Sequence, residues 1–125
     1  MTVSATTDTL SPDAQTRAWW DQVQPLCEQF FDLSSRFHPE HTTTHLIDLL
    51  MEMGLIFENL RAHACPVHMI ELRADLVSAM SGTMTSLAEL LADKNAMAMD
   101  HLNHALIHLQ HFHIALDEMD LHYQH

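Results

Sequence analysis

Apolar residues recur every three or four positions along nearly the whole chain, and a period near 3.6 commits such a chain to α-helices. The pattern is interrupted at His38-Pro39-Glu40, around Pro66, and at Asp93-Lys94-Asn95. Proline lacks the helical N–H and pushes the preceding residue out of the α region, so two of these interruptions are stops with a mechanism. Only two glycines occur among the 125 residues. That is little of the turn chemistry a hairpin-rich fold needs, and strand-type alternation is essentially absent. The expectation is an all-α chain: an antiparallel four-helix bundle over residues 11–125, preceded by a flexible, Thr-rich arm at residues 1–10.

The first helix is announced by Ser11-Pro12-Asp13, a hydroxyl cap followed by proline at the first helical position and an acid in the first turn. Trp19, Trp20, Val23, Leu26, Cys27, Phe30, Phe31 and Phe37 give it a broad apolar face; Pro25 inside that face predicts a kink or a split. The second helix is expected from about Glu40 to His63, with Leu46, Ile47, Leu50, Met53, Gly54, Phe57 and Leu60 inward. After the break at Pro66, the third carries Val67, Ile70, Leu76, Val77, Met80, Met84, Leu87 and Leu91 to about Ala92, and is weakest at Ser81-Gly82-Thr83. The fourth, with Asn95 as a candidate cap, covers about Ala96 to His122 through Leu102, Ala105, Leu106, Leu109, Phe112, Leu116, Met119 and Tyr123. Four segments of roughly 24–27 residues, each about 35–40 Å long, suit an up-down-up-down arrangement. A continuous helix through Lys94 is the competing architecture, and would give an extended or swapped dimer.

Charge narrows the partners. Lys and Arg total 5 against 17 Asp and Glu, a net charge of −12. A phosphate-neutralising nucleic-acid surface does not fit that balance, and an anionic membrane repels it; a basic protein surface or a cation is acceptable. The chain also carries 12 histidines, whose reference pKa near 6.5 lets mild acid cancel much of the negative charge. No apolar run reaches the eighteen or so residues of a bilayer span, and no early basic and apolar leader is present, so a cytoplasmic location is the expectation. Cys27 and Cys65 allow one intrachain disulfide and form no zinc-type CxxC pair.

The histidines fall into rows. His101, His104, His108 and His111 follow at intervals of three, four and three, which stacks them on one side of the fourth helix. His38, His41, His45, Asp48 and Glu52 form a comparable row at the start of the second. Two imidazoles at i,i+4 can share a metal ion, with a carboxylate completing the shell, so His41, His45, Asp48, His104 and His108 are the candidate ligands for a divalent transition metal such as Zn²⁺, Ni²⁺, Cu²⁺ or iron. At about 100° per residue, however, both rows point away from the apolar centres of their helices, by roughly 120° on the second. Diagonal helices of a simple bundle would not bring the two rows together either. The rows are therefore expected on flanks or outer faces, open to solvent, a second subunit or another protein. His113 points nearer the apolar face of its helix and is expected to be buried.

Other groups are less specific. His63, Cys65 and His68 surround Pro66, where a helix start and imidazolium could lower the thiol pKa; a turn with a partly buried thiol is the plainer reading. His68, Glu71 and Asp75 line one side of the third helix, and Glu28 and Asp32 are spaced as a pair that a solvated face also explains. Most methionines follow the core period, but Met51, Met97 and Met99 are placed to form an adaptable surface.

No phosphate loop, serine elbow or HExxH motif is present. The leading expectation is a small acidic, non-enzymatic protein–protein interaction module, such as an adaptor, chaperone or inhibitor, acting on a protein with a basic surface or on itself as a pH-sensitive homodimer. Trp19 and Trp20, at adjacent helical positions, do not easily point in one direction, so one indole is expected at an interface; His101 and His111 are the other candidate interaction residues. The alternative is a histidine–carboxylate metal-binding bundle serving storage, sensing or metal-dependent catalysis.

Overall fold

The computed structural model describes residues 11–38 and 40–118, apart from the side chains of Pro12 and Asp13. Among the described residues there are four α-helices: α1 (Pro12–Ser35), α2 (Thr43–Ala62), α3 (Ile70–Leu91) and α4 (Asn95–Glu118). A short 3₁₀ turn, Val67–Met69, leads into α3. The chain is an all-α helical bundle, as the apolar period predicts. The N-terminal arm, Met119, His122 and Tyr123 lie outside the described residues.

Local chemistry sets the ends. Ser11 caps α1 by accepting the Ala14 N–H at 3.2 Å. The helix then runs through Pro25 as one element, because the loss of a single N–H there is outweighed by the packing of the residues on either side. Helix α2 starts later than expected, since the Thr42 hydroxyl caps it by accepting the His45 N–H at 3.2 Å. His41 therefore precedes the helix, in a turn whose N–H bonds the His38 carbonyl at 3.0 Å. At the end of α3, the Lys94 N–H bonds the Glu89 carbonyl and the Asp93 N–H that of Leu90, the Schellman closure. Its left-handed position is filled by Asp93, at φ 61°, rather than by glycine. The break at Lys94 is thus real, and Lys94, not Asn95, supplies the first accepting carbonyl of α4, to Ala98 N–H at 2.9 Å.

One buried cluster draws on all four helices, with Val23 and Phe30 from α1, Met53 and Leu60 from α2, Leu76 and Met80 from α3, and Phe112 and Leu116 from α4. Helices α3 and α4 meet along a seam of small residues: Ala79, Thr83 and Ser86 face Ala98 and Ala105, all buried. Small side chains let two backbones approach closely. The Ser86 hydroxyl crosses the seam to donate to the Ala98 carbonyl at 2.8 Å.

Several inward assignments are corrected. On α2 the core stripe is Leu46, Leu49, Met53, Phe57 and Leu60. Ile47 instead joins Met51 and Leu55 as an exposed ridge. The 3₁₀ turn before α3 changes the period there, so Val67 and Ile70 are exposed while Met69 is fully buried. Leu106 also faces outward.

Candidate functional site

The two tryptophans of α1 stand with their ring centroids 6.3 Å apart but meet different neighbours. Trp20 packs towards α4, its ring centroid 5.5 Å from that of Phe112. Trp19 lines a second cleft with Ala64, Cys65 and Pro66 beyond the end of α2. Both are buried, at 3% and 5% exposure, which corrects the expectation that one indole would stand open at an interface. The turn of about 100° between adjacent positions is accommodated because α1 has neighbours on both sides. Neither indole N–H has a hydrogen-bond partner. An unpaired buried donor of this kind costs about 1–3 kcal/mol.

Beside Trp20 the bundle opens. A cleft of about 360 Å³ is lined by Trp20, Cys27, Phe31, Leu76, Leu109 and Phe112, with Gln24, Glu28 and His113 contributing polar groups. It lies between α1 and α4 and has the composition of a binding site: an apolar floor with few polar groups. Gln24 donates to the Glu28 carboxylate at 3.3 Å, which braces the acidic side of the cleft. Burial, and then the neighbouring Glu28 charge, push the Cys27 thiol up to about 12, so it is a neutral, apolar-like wall. His113 is exposed at this cleft, not buried as its helical angle suggested. That angle points it towards α1, onto the wall of the cleft.

The histidine row on α4 splits in two. The His108 Nδ1 lies 3.0 Å from Asp75 Oδ1, and the His101 Nδ1 is hydrogen-bonded to Glu89. These two residues, seven apart, look along the α3 side of the helix. His104 and His111 are exposed. Within the expectation of a flank or an outer face, His104 and His111 take the outer face, and the half-exposed His101 and His108 take the flank towards α3. Their carboxylate partners lie on α3, and an antiparallel hairpin with so close a seam brings those acids within reach.

At the start of α2 the rings of His41 and His45 stand 4.5 Å apart, with His38 6.1 Å from His41. All three are exposed, as is Asp48. Among the described residues no group of three or more His, Cys, Asp or Glu converges as a metal site. The rows on α2 and α4 are not joined.

Both cysteines are free thiols. Partial burial raises the Cys65 pKa, with the Arg73 charge acting in the opposite direction. The thiol donates to the Pro66 carbonyl at 3.4 Å. An activated, acid-shifted thiol is therefore not what this turn provides. His68 is engaged by Thr16, whose Oγ1 lies 2.6 Å from its Nε2.

No helix among the described residues is long and apolar enough to cross a membrane. No protein-family model, curated protein or solved structure matches the chain. The α1/α4 cleft was not foreseeable from residue types alone, since its walls read as ordinary core positions. The polar intrusions Gln24, Glu28 and His113 into that face were the only signal.

Proposed function

We propose that this chain is a small acidic protein–protein interaction module that receives a basic partner at the cleft between α1 and α4. The observation that carries this reading is the open apolar cleft with Glu28 on its wall, in a chain of net charge −12. Asp21, also exposed on α1, adds to the acidic character of the same helix, whereas Asp32 is paired with Arg36 at 2.7 Å. The matching ligand is an amphipathic segment that buries an apolar side chain against Phe31, Leu109 and Phe112 and presents Lys or Arg to the acids. Burial of apolar surface would supply affinity, while the charge would supply encounter rate and choice of partner. Adaptor, chaperone and inhibitor roles all use this mode. Two free thiols suit the reducing cytoplasm, which is part of the same reading. Self-association has its own support in the exposed Ile47–Met51–Leu55 ridge on α2, a face a second copy could cover.

The test is a titration with a cationic amphipathic helical peptide, followed by tryptophan emission from Trp20 and repeated on Leu109→Glu and Glu28→Lys. Glu58→Lys, on exposed α2, is the control for charge alone. Binding that both cleft variants weaken at least tenfold, and the control leaves within about twofold, supports the module. Equal weakening by all three variants, or no binding, removes the cleft from consideration.

A further inference from the structure

We propose that His41 and His45 form a chelating site for one borderline divalent transition cation, of the Ni²⁺, Cu²⁺ and Zn²⁺ class. The two ring centroids are 4.5 Å apart with planes tilted by 55°. Imidazole nitrogens bind such ions at about 2.0–2.1 Å, which sets two rings on one ion roughly 4.5–5 Å apart, centre to centre. The pair already stands at that spacing. Both imidazoles are exposed and have no hydrogen-bond partner among the described residues, so each keeps a nitrogen for a ligand.

The backbone holds the two in place by different means. His41 sits in the turn closed by its own N–H to the His38 carbonyl, and His45 sits in the first turn of α2, its N–H held by the Thr42 hydroxyl. This arrangement needs no helix at position 41. Asp48, one turn beyond His45, and the overall charge of −12 favour a cation nearby without adding a third ligand.

His38 is close but is set for another task. Its Nδ1 accepts the Glu40 N–H at 3.2 Å, which in the neutral ring leaves the proton on Nε2. No bare nitrogen then faces the ion, and the site is a two-histidine chelate completed by water. On α4 the situation is reversed. His101 and His108 have carboxylates behind them, but they are seven residues apart, and His104 between them makes no ring contact with either. The observed spacing favours the α2 pair. Two neutral nitrogens on an open surface suit imidazole-seeking ions and give nothing to Mg²⁺ or Ca²⁺, which take oxygen.

The experiment uses the untagged full chain at pH 7.5, titrated with Ni²⁺ by calorimetry and by amide NMR. One equivalent should bind, and substoichiometric Ni²⁺ should broaden the signals of residues 41–45 before any others. His41→Ala and His45→Ala should each lower affinity at least tenfold, while His38→Ala and His104→Ala stay within about twofold. Excess Mg²⁺ should not compete. Unchanged affinity in His41→Ala and His45→Ala overturns the proposal. So does earliest broadening at residues 101–111 or in the C-terminal tail, or diffuse uptake with no preferred site.

Discussion

Gly82 lies directly against Ala105: a β-carbon added to the glycine would stand 3.1 Å from the alanine's own Cβ. Both atoms are anchored to helix backbone, so neither yields without α3 and α4 moving apart. Replacing Gly82 by Ala gains about 1 kcal/mol of helix propensity but overpacks the seam by about 1–3 kcal/mol. The net expectation is a loss of about 1 kcal/mol in denaturant unfolding. Gly54 is the counterpart, with nothing within 4 Å of an added β-carbon. Gly54→Ala should therefore stabilise by about 0.5–1 kcal/mol, and opposite signs at the two positions are the result to look for.

Asp93 closes α3 with a positive φ that glycine would adopt freely. Asp93→Gly should raise stability by about 1 kcal/mol, since a left-handed residue with a side chain carries about that cost. Thermal unfolding checks this, and a lowered midpoint would mean that the carboxylate itself holds the turn.

The orphaned indole of Trp20 separates shape from hydrogen bonding. Trp20→Phe keeps an aromatic ring beside Phe112 and removes the unpaired N–H, so it should change stability by no more than about 1 kcal/mol. Trp20→Ala should cost about 3–5 kcal/mol. Chemical denaturation of both variants reads the difference.

Cys27 gives the fold an alkaline limit. Its thiol ionises near 9.0 in the unfolded chain and near 12 in the folded one. Below about pH 9 both states are protonated and the residue adds no pH dependence. Above it the unfolded state loses its proton first, so stability falls as pH rises towards 12. Cys27→Ala should flatten that part of the stability–pH curve. At pH 8 a thiol reagent should label Cys65 well before Cys27, whose modification should track unfolding.

The helical architecture was legible because the apolar period survives from Trp19 to Leu116, and the caps at Ser11 and the stops near Pro39 and Pro66 are local chemistry. The faces were less so. Ile47 and Leu49 are equally apolar, and only the docking of α2 decides that Leu49 goes inward. Val67 fits the apolar period yet is exposed, because the 3₁₀ turn Val67–Met69 changes the phase at the start of α3. The partners of His101 and His108 could not be read at all, since Glu89 and Asp75 become neighbours only once α3 and α4 have paired. The cleft likewise depends on how α1 and α4 dock, which no local pattern encodes.

The small-residue seam has a kinetic consequence. Helices α3 and α4 join through the short connection at residues 92–94, so their pairing closes a small loop and is cheap in chain entropy. Trp20 reaches Phe112 only after most of the chain has been looped, the costliest closure in the molecule. The C-terminal hairpin is thus expected to form first and the α1/α4 contact last, and hydrogen exchange should be slowest along α3. A partner bound at the proposed cleft would then hold α1 and α4 together, acting as a latch on unfolding.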